Sequence, residues 1–102
     1  MSDADLRECE MALRVIDEYL TKERSLISTI GDLRGIIVLL SENESNLSRT
    51  LRESWRVLEE IKARTIYRRL PNVPHQCRGI ISAALEQMKM VVLEALRESV
   101  LD

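Results

Sequence analysis

Hydrophobic side chains recur along this chain at helical spacing. Leu6, Cys9, Leu13, Ile16 and Leu20 follow one another in steps of 3, 4, 3 and 4, which puts them on one face of a helix. The pattern predicts a first helix from about Asp3 to Lys22. Ser2-Asp3-Ala4-Asp5 opens it as a variant capping box with a short acid in the place of glutamate. Thr21 to Ser25 reads as a tight connection, with Ser25 capping a second helix that runs to about Leu40. The second stripe is Leu26, Ile30, Leu33, Ile37 and Leu40. Ile27, Ile36 and Val38 widen it, so this helix is expected to be the most buried. Gly31 and Gly35 lie one turn apart inside it, and a close approach by a neighbouring helix would offset what they cost.

The polar run from Ser41 to Asn46 reads as a loop ending in cap residues. Leu47, Leu51, Trp55, Leu58, Ile61 and Thr65 then mark a third helix, from about Asn46 to Leu70. Leu70-Pro71-Asn72-Val73-Pro74 ends it, because proline disfavours helix at the residue before it. A fourth helix is predicted from about Val73 to Val100, with Asn72 as cap, Pro74 in the first turn and a stripe of Cys77, Ile81, Ala84, Leu85, Met88, Val92, Ala95 and Leu96. No alternating run signals a strand. Four amphipathic helices on short connections predict an all-α fold, a four-helix antiparallel bundle, with residues 1–102 as one domain.

Composition fits that picture, with 45% hydrophobic and 31% charged residues, an ordinary globular balance. The start is polar and acidic, so no secretory leader is expected. The longest apolar run, Ile36 to Leu40, is far short of the roughly 20 residues a membrane span needs. Cys9 and Cys77 fall on apolar faces and read as small core residues. Their spacing does not demand a disulfide, and a reducing cytoplasm is the expected compartment.

The residues offer little chemistry. His75 is the single histidine, and His75 with Cys77 and the distant Cys9 does not make a zinc signature. Serines are plentiful, but there is one histidine and no strained Gly-x-Ser-x-Gly turn, and none of Gly31, Gly35 and Gly79 belongs to a phosphate-binding loop. The carboxylate pairs Asp17-Glu18 and Glu59-Glu60 are adjacent on helices, where neighbouring side chains diverge by about 100°. No catalytic activity, metal or cofactor is expected.

Charge is what remains. The net charge is −2, but residues 1–44 hold ten acids against five bases and residues 45–102 seven acids against ten bases. Asp3, Glu10 and Asp17 repeat every seven residues, forming a row on the first helix with Glu18 beside it. Glu42 and Glu44 lie in the second loop, and whether they join the row is open. These six acids are the candidate partner-binding residues, a docking face for a basic protein. The third helix carries Arg49, Arg52 and Arg56 on one face, with Lys62, Arg64, Arg68 and Arg69 beyond. Arg49 with Glu53 and Glu60 with Arg64 have i, i+4 spacing and can pair. Nucleic-acid binding through this helix is an alternative, as is a homodimeric adaptor joined through the broad apolar second helix.

Three stretches carry a resemblance: Ser25-Leu26-Ile27-Ser28-Thr29-Ile30-Gly31-Asp32-Leu33-Arg34-Gly35; Leu51-Arg52-Glu53-Ser54-Trp55-Arg56-Val57-Leu58-Glu59-Glu60-Ile61-Lys62-Ala63; and the last helix with Ala84-Leu85-Glu86 and Leu93-Glu94-Ala95-Leu96. Together with the polar loop after the second helix, they resemble small helical immunity proteins of bacterial polymorphic toxin systems, including contact-dependent growth inhibition. The resemblance implies an antitoxin that occludes the active site of a cognate toxin, often a nuclease with a basic cleft. It also implies that Asp32, Arg34, Trp55 and Glu59 form a polar cluster fixing the second helix against the third.

Overall fold

The computed structural model describes residues 1–70 and 72–101. It contains four helices: α1 (Asp3–Leu20), α2 (Leu26–Leu40), α3 (Ser45–Tyr67) and α4 (His75–Leu101). Each packs on its two neighbours in a ring: α1 on α2 and α4, and α3 on α2 and α4. The connections are short and the helices antiparallel, so the chain is an all-α four-helix bundle, 47 × 24 × 17 Å in extent.

The core follows the predicted stripes on α3 and α4. Leu47, Leu51, Leu58 and Ile61 from α3 meet Ile81, Ala84, Leu85, Met88 and Val92 from α4. On α1 the buried face is rotated from the expected one. Asp5, Cys9, Ala12, Val15 and Ile16 are buried, while Leu6, Leu13 and Leu20 are only half-buried. Ala12 completes the 5, 9, 12, 16 row.

The expectation for α2 holds in part: it buries a larger share of its residues than α1 or α3, and Ile36 does widen its stripe, but Ile27 and Val38 face outward. Thr29, Ile30, Leu33, Ile36, Ile37 and Leu40 are buried, but Ile27, Val38 and Leu39 are exposed by 65%, 50% and 51%. In a ring of four, each helix has an outer face, and here the apolar residues continue onto it. Gly31 and Gly35 lie on that outer side. A Cβ added at either would meet nothing within 4 Å, so no neighbouring helix approaches them.

Two backbone-directed bonds set the register of α2 against α3. The Trp55 indole donates to the Ile30 carbonyl at 3.0 Å, and the buried Ser48 hydroxyl donates to the Ile37 carbonyl at 2.9 Å. Donors and acceptors are each seven residues apart.

The N-terminal caps of α1 and α2 are the expected ones, and several other helix ends depart from the pattern. The Ser2 hydroxyl accepts from the Asp5 amide at 3.1 Å and donates to the Asp5 carboxylate at 2.8 Å, and Ser25 caps α2 by accepting from Ser28. α3 begins after Glu44, which makes no side-chain cap bond. α3 stops at Tyr67, three residues before the expected Leu70, because Arg69 turns left-handed at φ 55. Leu70 then donates to the Thr65 carbonyl at 3.1 Å and Arg69 to Ile66 at 3.0 Å. α1 ends the same way: Lys22 has φ 66, Glu23 donates to Glu18 at 2.8 Å and Lys22 to Tyr19 at 3.0 Å. Both are Schellman ends, where glycine is the usual left-handed residue. Lys22→Gly and Arg69→Gly are each expected to raise stability by about 0.5–1 kcal/mol, read as a higher urea midpoint. α4 starts at His75, so Pro74 lies just ahead of the helix rather than in its first turn, and its carbonyl accepts from Cys77 at 2.9 Å. Pro71, expected to help end α3, lies outside the described residues.

Candidate docking surfaces

Of the six acids expected to form a docking face, Asp3, Glu10 and Asp17 are exposed on α1. The upper end of their row is neutralised from within. Lys89 of α4 reaches Asp17 at 2.8 Å, and Arg24 reaches Glu18 at 3.0 Å while also bonding Asp32 and Ser28. Glu42 is exposed in the loop between α2 and α3, and Glu44 is half-buried at its end.

That loop does join the acidic end of α1. Asp5, Glu8, Glu10 and Glu44 all lie close enough to act on the Cys9 thiol. Burial first, then these carboxylates, push Cys9 up to about 11 from its ordinary 9.0. Cys9 is therefore a thiol held neutral, with its sulfur 3.8 Å from that of Met1. A raised folded value means that the fold disfavours the thiolate. Its contribution to stability is intact below about pH 9 and is lost as pH rises towards 11. Unfolding followed from pH 8 to 11 is expected to show a decline of up to about 2–3 kcal/mol that Cys9→Ala lacks. Both cysteines are free, and Cys77, on α4, is half-buried.

Beside this corner, Glu44, Glu94 and Glu98 line a groove of about 440 Å³ whose apolar members include Leu47, Val91 and Ala95, with neither lysine nor arginine in its lining. Glu94 and Glu98 were not singled out from the sequence: their i, i+4 spacing puts them on one face of α4, but only the packing of α4 groups them with Glu44.

The second charged surface runs along the seam of α2 and α3. Arg34, Arg52, Arg56 and Glu59 line a groove of about 490 Å³ with Trp55, Ile37 and Val38. Arg49, Arg52 and Arg56 line an adjoining depression with Ser41 and Ser45. The expected Arg49–Glu53 pair does not form. Farther along α3 the local pairs do: Glu60 bonds Arg64 at 2.7 Å and Glu59 bonds Lys62 at 3.4 Å. Among the described residues, Arg34, Arg49, Arg52 and Arg56 enter no ion pair. The expected polar cluster is thus realised in part: Trp55 does tie α3 to α2, and Arg34 and Glu59 flank it, but Asp32 is held by Arg24 instead.

His75 is exposed at the start of α4. Among the described residues, no three His, Cys, Asp or Glu side chains group in a way that could hold a metal ion, and no helix is long and apolar enough to cross a membrane. Every buried side-chain nitrogen or oxygen among them has a hydrogen-bond partner. The chain matches no family model, no curated protein and no solved structure.

Proposed function

We propose that this protein is an immunity protein: a non-catalytic antitoxin that binds a cognate toxin in the cytoplasm and occludes its active site. The supporting observation is the acidic groove at the end of the bundle, lined by Glu44, Glu94 and Glu98 together with Leu47, Val91 and Ala95 and the polar Asn46, Thr50 and Ser99. Carboxylates beside apolar side chains suit a basic protein surface, since charge steers the encounter and the apolar side chains supply contact area. The partner class, a nuclease domain with a basic cleft, comes from the sequence resemblance. Asp3, Glu10 and Glu42 extend the face, whereas Asp17 and Glu18 serve to tie α1 to α4 and to the α1–α2 loop.

The test is co-expression with the product of the gene immediately upstream. The wild-type chain is expected to restore growth and to co-purify with that product. Glu44→Lys/Glu94→Lys/Glu98→Lys is expected to lose both properties while remaining folded. A wild-type chain that neither binds nor neutralises the product overturns the reading.

One observation favours a second reading, a homodimeric adaptor: Ile27, Val38 and Leu39 are exposed along the outer face of α2. It predicts a dimer by light scattering that Val38→Glu dissociates. A concentration-independent monomer counts against it.

A further inference from the structure

We infer that the α2–α3 seam is a second docking surface, separate from the acidic groove, and that it takes an acidic helical segment of another protein. Four arginines line it from two helices. Arg34 comes from α2, and Arg49, Arg52 and Arg56 come from consecutive turns of α3. The two depressions they line share Arg52 and Arg56, so the surface is continuous along the seam. Its cations are unspent. Helix α3 pairs the bases of its later turns with its own acids but leaves those of its earlier turns unpaired, although Glu53 stands at pairing distance in sequence from Arg49.

The side chains around the arginines select the class of occupant. The half-buried Trp55 and the half-exposed Val38 lie in the same groove. Arginine and tryptophan are among the residue types enriched in protein interface hot spots. All four cations are arginine, whose planar fork binds carboxylates in bidentate fashion. Arg49, Arg52 and Arg56 are spaced i, i+3, i+7, so a helix carrying glutamates at the same spacing matches them over about 10 Å. A nucleic acid fits less well. Phosphates need an extended basic track, and here Glu53 and Glu59 interrupt the arginines on a chain of net charge −2.

The probe is a synthetic 20-residue amphipathic helix with glutamates at i, i+3 and i+7 and leucines on the adjoining face. Its Kd is measured by fluorescence anisotropy at low salt. The comparison ligands are the same peptide with glutamine for glutamate and a 20-nucleotide single-stranded RNA. Arg52→Gln/Arg56→Gln is expected to weaken the acidic peptide at least tenfold. Arg68→Gln/Arg78→Gln, which removes the same charge elsewhere, is expected to change it less than twofold. Glu94→Lys/Glu98→Lys, on the other surface, is expected not to weaken it, so a failure of the toxin-binding reading leaves this result standing. Circular dichroism confirms that each variant is folded. Equal binding of the glutamine peptide, equal loss in both arginine variants, or no binding at all overturns the proposal. Tighter binding of the RNA than of the acidic peptide overturns it in favour of a nucleic-acid surface.

Discussion

Replacing Gly31 and Gly35 together by alanine is expected to raise the unfolding free energy by about 2 kcal/mol, because each glycine costs a helix interior about 0.8–1 kcal/mol relative to alanine. The cost is entropic: glycine has more backbone freedom to lose on folding than any other residue. Two things could cancel the gain, a left-handed conformation or a steric collision. Neither glycine has positive φ, and the added methyl groups would meet nothing within 4 Å. For a domain of this size, 2 kcal/mol corresponds to a rise of roughly 8–16 °C in Tm, readily seen by calorimetry. Gly79, in α4 with the same open surroundings, is expected to add a comparable increment. An unchanged or lowered Tm for the double variant would mean that something packs on the outer face of α2 in solution. That same result would strengthen the homodimer reading.

A contrast between two aliphatic side chains tests the packing from the opposite direction. Leu85 is 0% exposed in α4, which packs on both α1 and α3. Leu85→Ala removes buried methyl groups and leaves a cavity that a helix held on two sides cannot collapse, so a loss of about 3–5 kcal/mol is expected. A domain of this length has roughly 5–15 kcal/mol in total, so the variant will be partly unfolded or close to it. Leu85→Met, which keeps the volume, is expected to lose less than about 1.5 kcal/mol and stay folded. Ile27→Ala serves as the counterpart. Ile27 belongs to the apolar run of α2 but is 65% exposed, and its truncation is expected to change stability by no more than about 0.5 kcal/mol. Urea titration reads all three, and a large loss in Ile27→Ala would contradict the assignment of that face to solvent.

The number of helices, their order and the α3 and α4 core were legible in the sequence, because Leu47 through Ile61 and Ile81 through Val92 repeat with helical period and have little apolar residue outside the stripe to confuse it. α2 was read too generously for the opposite reason. Ile27, Ile36, Val38 and Leu39 surround its stripe, and periodicity cannot separate core from outer face when both are aliphatic. The ends of α1 and α3 were hidden because Lys22 and Arg69 occupy positions where glycine is the usual signal, while the glycines sit in helices. Of the candidate sites, the exposed acids of α1 could be placed from their seven-residue spacing alone. Glu94 and Glu98 could not, since their grouping with Glu44 depends on how α4 lies against the start of α3. The arginine seam was half visible: Arg49, Arg52 and Arg56 share a helix face, but Arg34 joins them only through the pairing of α2 with α3.

That pairing has a further consequence. Sliding α2 along α3 by a single turn would break the Trp55 and Ser48 bonds together, since both acceptors move by the same amount. Displacement is therefore an all-or-none event rather than a gradual drift, and the spacing between Arg34 and the arginines of α3 behaves as a fixed template. A ligand meeting that surface has no backbone scaffold to order on arrival, so the entropic cost of association falls on the ligand and on the exposed arginine side chains it immobilises. Trp55→Phe deletes one of the two bonds without touching any charge, and its effect on the urea midpoint measures what that bond contributes to the register.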